Sequence, residues 1–507
     1  MRSARDREGE TELKASLEVL RGLTVCPRSM VEVAGTAFCL AAREDGRSKV
    51  LVVHGEDRGF EGTRPEPGGR LLCPLTRANA AALRARLPWL RPGPLGLKTS
   101  VGFGDRLGLA TPGHARAIRQ FAGGEGMIGA VFAQQSVREN ARTGRTPQEV
   151  LDDATWGVFE EGWREPWGAD ADHLKTPVDV DAFAAAGYTF FTIDPGAHVD
   201  DEAGGLSAAA LEAKVSALPW GVLEDTVGDL QRRYLAAPVD LEGSSLTIEA
   251  AQLWRAAVKY GRAVAHTVAM YRYIVSSLGE RAFELEVSVD ETSSPTTVAE
   301  HVYIAGELRR LGVRWVSLAP RFVGRFEKGV DYIGDLGGLS AEFARHAAVS
   351  RVFGPYKLSL HSGSDKFSVY PIAARLTDGS AIGLAGSLVH VKTAGTSYLE
   401  ALRATARVDP ELFREILALA RERYEIDRAT YHVSADLARV PGGDTLTDGE
   451  LPLLLEQFDA RQVLHVTFGS VLDRFGRRLR ETLERNEEIY AAVLEAHFKR
   501  HLAPLMD

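Results

Sequence analysis

The sequence predicts an α/β protein: a (β/α)8 TIM-like barrel with an N-terminal β-containing appendage, a helical insertion and a C-terminal helical tail. Three observations carry this prediction. Short apolar runs that read as buried strands alternate with amphipathic helical stretches about eight times, the number of units that closes a parallel barrel. A chain of 507 residues is long enough for one elaborated barrel, although three units of ~150 residues would fit equally well. Ionisable residues gather where the strand-like runs end, and barrel enzymes place their chemistry at those ends.

Residues 1–95 form the expected appendage. Val31 to Leu40 and Lys49 to Val53 have strand character and flank the polar turn Glu44-Asp45-Gly46. A Gly/Pro-rich loop and a helical stretch, Thr76 to Leu87, follow. Pro88-Trp-Leu-Arg-Pro-Gly-Pro94 cannot continue a helix or a central strand, because proline removes donors and fixes φ, so it marks a boundary. The barrel is expected over 96–470. Its strands are Ser100 to Leu107, Ile128 to Gln134, Trp167 to Leu174, Thr189 to Asp194, Phe283 to Val289, Arg314 to Ala319, Lys357 to Leu360 and Ser387 to Lys392. Helical patterns lie between them at Thr146 to Glu161, Val180 to Ala186, Thr297 to Leu311 and Ser340 to Val352. The gap around 198–282 exceeds one βα unit and reads as a helical insertion containing Ile248 to Ser277. Residues 471–507 read as a charged helical tail outside the barrel, solvent-facing or serving a homo-oligomer contact. The competing doubly wound sheet would need a dinucleotide fingerprint. Gly102-Phe-Gly-Asp-Arg-Leu-Gly108 starts like one, but lacks a recognisable following helix and the acidic residue ~20 positions on.

Composition excludes several classes. Hydrophobic residues make up 45% and charged residues 25%, an ordinary globular mixture. The 60 Lys+Arg against 69 Asp+Glu leave a net charge of -9, which provides no footprint for nucleic acid. No apolar run reaches the ~18 residues of a membrane span, and the N-terminus lacks a signal-peptide core. Three cysteines without a CxxC pair read as reduced thiols, and a cytoplasmic location is expected. Phosphate-loop, H-E-x-x-H and G-x-S-x-G motifs are absent.

The strand ends hold the chemistry. The third strand ends Asp170-Ala-Asp172-His173-Leu-Lys175. The fifth reads Glu284-Leu-Glu286-Val-Ser288-Val-Asp290-Glu291, which places Glu286, Ser288 and Asp290 on one face by the two-residue period. The sixth leads into Pro320-Arg321 and the loop Glu327-Lys328-Gly329-Val330-Asp331. The seventh ends His361-Ser-Gly-Ser-Asp365-Lys366 and the eighth His390-Val-Lys392. Imidazoles and carboxylates converging on one face make the mixed N/O set that suits a divalent cation such as Zn, Mn, Ni or Co. Nearby Lys and Arg would complement an anionic substrate. His497 and His501 on the tail, and His266 and His346 within helices, receive no role.

Six strings carry a resemblance. They are Gly168-Ala-Asp-Ala-Asp-His-Leu-Lys-Thr176, Glu286-Val-Ser-Val-Asp-Glu291, Ser317-Leu-Ala-Pro-Arg-Phe322, Gly329-Val-Asp-Tyr-Ile-Gly-Asp335, Lys357-Leu-Ser-Leu-His-Ser-Gly-Ser-Asp-Lys-Phe367 and His390-Val-Lys-Thr-Ala-Gly-Thr396. From about residue 160 onward the chain resembles the tagaturonate/fructuronate epimerases of hexuronate catabolism. Asp172-His173 and His361-Ser-Gly-Ser are also similar to class II metal aldolases, in which an Asp before a metal-binding His moves the proton. The resemblance implies a metal-dependent isomerase acting on a sugar acid; an aldolase acting on a uronate or sugar phosphate is the alternative. It implies His173 and His361 as metal ligands, with Glu327 or His390, and Asp331 behind them, as the third. Asp172 would accept the proton and Glu286 donate it. Arg321, Lys366 and Lys392 would meet the substrate carboxylate.

Overall fold

The computed structural model describes residues 22–43, 48–65, 69–122 and 127–506. Eight parallel strands close a barrel in chain order: β1 (Ser100–Gly104), β2 (Gly129–Ser136), β3 (Trp167–Leu174), β4 (Phe190–Ile193), β5 (Glu284–Val289), β6 (Ser317–Pro320), β7 (Lys357–Leu360) and β8 (Val389–Thr393). The ring closes where β8 pairs with β1, His390 opposite Ser100.

Two-residue alternation explains how so polar a set of strands folds. In β5, Leu285, Val287 and Val289 point outward and are buried against the helices, as are Leu358 and Leu360 of β7 and Val389 and Val391 of β8. The intervening Glu286, Ser288, Ser359, His390 and Lys392 face the barrel interior and are buried as well. The apolar core therefore lies between sheet and helices, and the inside of the barrel is left to hydrogen bonds and charge. The surrounding helices start where the sequence provides caps. Ser136 with Glu139, Thr146 with Glu149, Thr176 with Asp179 and Thr297 with Glu300 form reciprocal capping boxes, three of them just after a strand or its short loop.

The N-terminal end of the barrel is closed. The proline segment enters as a short 3-10 turn, Pro88–Leu90, and then runs across the floor. There the Gly93 N–H donates to Trp167 O at 2.9 Å. Glu284 accepts from the Leu95 N–H at 2.9 Å and from the Gly96 N–H. Backbone donors thus satisfy this buried carboxylate.

The N-terminal residues form an antiparallel five-stranded sheet of Leu23–Val25, Val31–Val33, Thr36–Arg43, Lys49–His54 and Leu71–Cys73, followed by the helix Arg77–Arg86. The expected turn Glu44-Asp45-Gly46 lies outside the described residues. The three cysteines are free thiols. The insertion contains the helices Ala208–Ser216, Trp220–Leu223 and Val227–Leu235, then the 29-residue helix Ala250–Leu278. It also holds a hairpin of Val239–Leu241 with Ser244–Leu246. Strands of three residues are too short to show a period.

Two expectations are corrected here. A helix, Thr111–Phe121, does follow the glycine segment at 102–108; its Thr-Pro-Gly-His start disguised it. The tail helix Glu487–Leu502 is not simply solvent-facing. Tyr490, Leu494, Phe498 and Leu502 repeat at intervals of four and are buried, with His497 and His501 on the same side, against Thr111–Phe121 and Thr396–Val408. No helix among the described residues is long and apolar enough to cross a membrane.

Candidate active site

The ends of β3, β5 and β7 meet at the open mouth of the barrel. Asp170 and Asp172 point inward from β3, so strict alternation would send His173 outward. Instead His173 adopts φ 56°, next to a register shift between β3 and β4. This left-handed backbone costs a non-glycine residue roughly 1–2 kcal/mol, and the fold retains it here. It brings the His173 ring 5.0 Å from the His361 ring, and His173 Nδ1 lies 2.9 Å from Asp172 Oδ1. His361 follows β7 directly. Its Nε2 is hydrogen-bonded to Glu286 of β5, whose other oxygen accepts from the Ser317 hydroxyl at 2.5 Å. His361 Nδ1 faces Ser288 Oγ at 3.3 Å and Asp290 Oδ1 at 3.5 Å.

Each imidazole therefore has one nitrogen tied to a buried carboxylate and the other turned toward shared space. That arrangement fixes ring orientation in metal-binding histidines. His173 Nε2 looks toward Glu291 Oε1 at 3.8 Å. Donor atoms of Asp172, His173 and His361 lie within 4.8 Å of one another, as do those of His173, Asp194 and Glu291.

Beneath this pair the Lys392 ammonium occupies the barrel axis. It lies 2.8 Å from Asp170 and Glu286, 2.7 Å from Asp172, and 2.8 Å from the Thr192 hydroxyl. Burial alone would raise the pKa of Asp172, but His173 and Lys392 outweigh it and hold this carboxyl well below its ordinary range. Glu286 is likewise held low against burial by Lys392 and His361. Asp170 carries the cost of the crowding: burial and its carboxylate neighbours push it up to about 6, despite Lys392. Burial also opposes charge on His173, yet the adjacent Asp172 lifts it to about 10.

A cavity of about 350 Å³ opens beside His361, lined by Asp290, Glu291, Arg321, Glu327, Lys328 and Ser362 among others. Lys328 Nζ donates to Ser362 Oγ at 3.0 Å. Among the described residues neither Lys328 nor Arg321 has a carboxylate within ion-pair distance, so two cations at the mouth are available to an anion.

The whole chain has close counterparts. Residues 26–505 match the family model of tagaturonate epimerase, UxaE. The chain belongs to the tagaturonate epimerase family. It is 43% identical over 489 residues to a tagaturonate/fructuronate epimerase of Thermotoga maritima, covering 95% of this chain and 97% of that one. The fructuronate-tagaturonate epimerase UxaE of Cohnella laeviribosi is 36% identical. Its native crystal structure superposes with a TM-score of 0.89 over 97% of this chain and 99% of that one. A glycerol complex of the same protein gives 0.88 over 99% of both chains. The protein is thus an isomerase of the carbohydrate-epimerase type.

Within this epimerase the expected site residues divide sharply. Asp172, His173, Glu286 and His361 come together, and Arg321 lines the adjoining cavity. Glu286 is held low as a carboxylate by Lys392, Ser317 and His361, which suits an acceptor better than the expected proton donor. His390 does not join the histidine pair. It sits inside the barrel with Nδ1 2.8 Å from Ser100 Oγ, and burial pushes it down to about 3. Glu327 is consumed by the Ser434 N–H at 3.0 Å, the Ser434 hydroxyl at 2.7 Å and Gln462 Nε2 at 2.8 Å. Asp331 accepts from the Ser368 hydroxyl at 2.9 Å and from backbone N–H groups. Neither carboxylate reaches the histidines. Lys366 is also turned away from the cavity: its ammonium donates to the carbonyls of Glu327, Val330 and Ser364 at 2.6–2.8 Å. Lys392 meets carboxylates of the protein itself. Sequence reading passed over Lys328, Asp194 and Glu291. Asp194 ends a strand and Glu291 follows one, so the strand-end rule could have found both; Lys328 adjoins a residue that was chosen.

Proposed function

We propose that the protein interconverts D-tagaturonate and D-fructuronate by retro-aldol cleavage and re-addition at a divalent-cation site on His173 and His361. The observation that carries this reading is the pair of imidazoles, each anchored through one nitrogen by a buried carboxylate, beside a cavity lined by Arg321 and Lys328, which have no carboxylate partner among the described residues. The donor set fits a cation: two imidazoles and nearby carboxylate oxygen suit Zn, Mn, Ni or Co, and the cation would displace the proton that Asp172 otherwise holds on His173. Asp194 is engaged by Lys175 at 3.1 Å and by the Gly196 N–H at 2.8 Å; Glu291, held only by Arg138 at 3.7 Å, is the more available third donor, with Asp172 also within reach. When bound, the cation supplies Lewis-acid stabilisation of the negative charge that develops at the substrate ketone.

The remaining chemistry belongs to the chain. The two sugars differ at a carbon β to the ketone, whose C–H the ketone does not acidify, so direct deprotonation there is unfavourable. Asp172, ionised and at the mouth, accepts the proton of the hydroxyl on that carbon as the adjacent C–C bond breaks. Lys392 keeps Asp172 charged and in place. Arg321 and Lys328 hold the carboxylate while the aldehyde fragment turns its other face, and the proton returns to the same oxygen as the bond re-forms. A route through enediol proton transfer would need two opposed acid/base groups. Asp172 and Glu286 are instead two anions on one lysine.

The test is NMR of D-tagaturonate in D₂O with metal-loaded protein. D-Fructuronate should form without deuterium at the epimerised carbon. Deuterium at that carbon would overturn the retro-aldol route, and release of free three-carbon fragments would favour an aldolase.

A further inference from the structure

The epimerase contains a second buried histidine–carboxylate cluster, away from the cavity. His497 on the helix Glu487–Leu502 places Nε2 2.5 Å from Asp365 Oδ1 and Nδ1 3.1 Å from Glu400 Oε1. Arg461 donates to the other Asp365 oxygen at 2.8 Å and, through Nε, to Gly329 O at 2.6 Å. The Asp365 N–H donates to His501 Nε2 at 3.1 Å. Donor atoms of Asp365, His497 and His501 lie within 4.8 Å of one another, but both nitrogens of His497 already meet carboxylates and a guanidinium occupies Asp365, so the cluster is internally paired.

Its position gives it another use. Asp365 has φ 59° and lies four residues after His361, in the loop that carries Ser362 and Ser364. The next residue, Lys366, staples that loop to the carbonyls of Glu327 and Val330. Arg461 holds the same second loop at Gly329. Two loops are thereby fixed to each other and to the C-terminal helix, and they carry the Lys328–Ser362 contact at the cavity. Lys328 has a flexible four-carbon stem, so its placement depends on where its backbone is held.

We propose that His497, acting through Asp365, is a positioning residue for the substrate carboxylate: the tail helix sets where Lys328 stands. This rests on the reading of Lys328 as a carboxylate anchor. The experiment measures kcat and KM for D-tagaturonate, and the inhibition constant of D-tagatose, which carries CH₂OH in place of the carboxylate. His497→Leu should raise KM about tenfold and leave kcat within about threefold, the signature of lost uniform binding. The D-tagatose constant should stay unchanged, and His497→Gln, which keeps a donor toward Asp365, should recover most of the affinity. Should His497→Leu not fold, Arg461→Lys puts the same question through the other holder of Asp365. Equal weakening for both sugars would overturn the proposal, because that is the result of general loosening. Lys328→Met separates the two layers. A selective KM rise in Lys328→Met with none in His497→Leu defeats the positioning role alone. No rise in Lys328→Met defeats the anchor and the positioning role together.

Discussion

The protein buries two histidine–carboxylate clusters, and they differ in what their nitrogens have left over. At the mouth, His173 and His361 each give one nitrogen to a carboxylate at close range, while the other is met only loosely, by Glu291 at 3.8 Å and Asp290 at 3.5 Å, beside a cavity. Under the tail helix, both nitrogens of His497 meet carboxylates, and Arg461 fills what remains of Asp365. Burial, pairing and short distances are common to both. What separates the two clusters is how loosely the second nitrogen is held and whether it faces a cavity, and neither residue type nor burial reports that.

The comparison can be broken where it is strongest. His361→Ala and His173→Ala should each abolish metal binding and cut turnover by more than the roughly hundredfold that a supporting partner costs. Metal content by elemental analysis decides this; unchanged stoichiometry in both variants would remove the distinction between the clusters. Glu286→Gln keeps the shape but weakens the hold on His361 and unbalances Lys392. Metal affinity should fall about 10–100-fold, read by chelator competition, with the fold intact.

A third expectation concerns histidines that face no cavity. Burial holds His114 and His346 down to about 4 and His390 to about 3. The unfolded chain takes up protons at these positions near pH 6.5, and the folded chain does not until about pH 4. The unfolded state thus binds more protons across that window, and stability falls as pH drops through it, on the order of 1 kcal/mol per pH unit for each histidine. Urea midpoints between pH 7 and 5 should fall less steeply in a His114→Asn variant than in the parent, since Asp170, raised to about 6, acts in the opposite direction in both; equal slopes would mean that this ring protonates inside the fold. The smallest effect is assigned to Arg477→Ala on the outer face of the helix Phe468–Glu484. Its side chain is 92% exposed and its Glu481 partner lies 3.5 Å away. A change above about 0.5 kcal/mol in thermal stability would be unexpected.

The barrel was legible because its eight strands alternate two-residue apolar faces with helices whose caps are written locally, as at Thr146 and Thr297. The strand-end rule picked out Asp172, His173, Glu286 and His361, which the fold brings together, for the same reason: an element's end is a local property. What sequence did not show was direction. Nothing in Asp-His-Leu-Lys announces the positive φ that turns His173 inward. Lys366 and Lys328 are both lysines in loops after strands, yet one is spent on three carbonyls and the other faces the cavity. Those outcomes depend on loops from distant parts of the chain meeting, and so do the fates of Glu327 at Ser434 and Gln462 and of the unheralded His497.

Glu284 and the Leu95–Gly96 strap bolt the far end of the barrel shut. The cavity beside His361 lies at the opposite end, above an interior filled with buried polar side chains. In the proposed reaction the sugar would come and go past the loops that Lys366 and Arg461 fasten. If the sugar is cut inside, the severed half has no back exit through which to drift away, and its shortest path is back to the half it left.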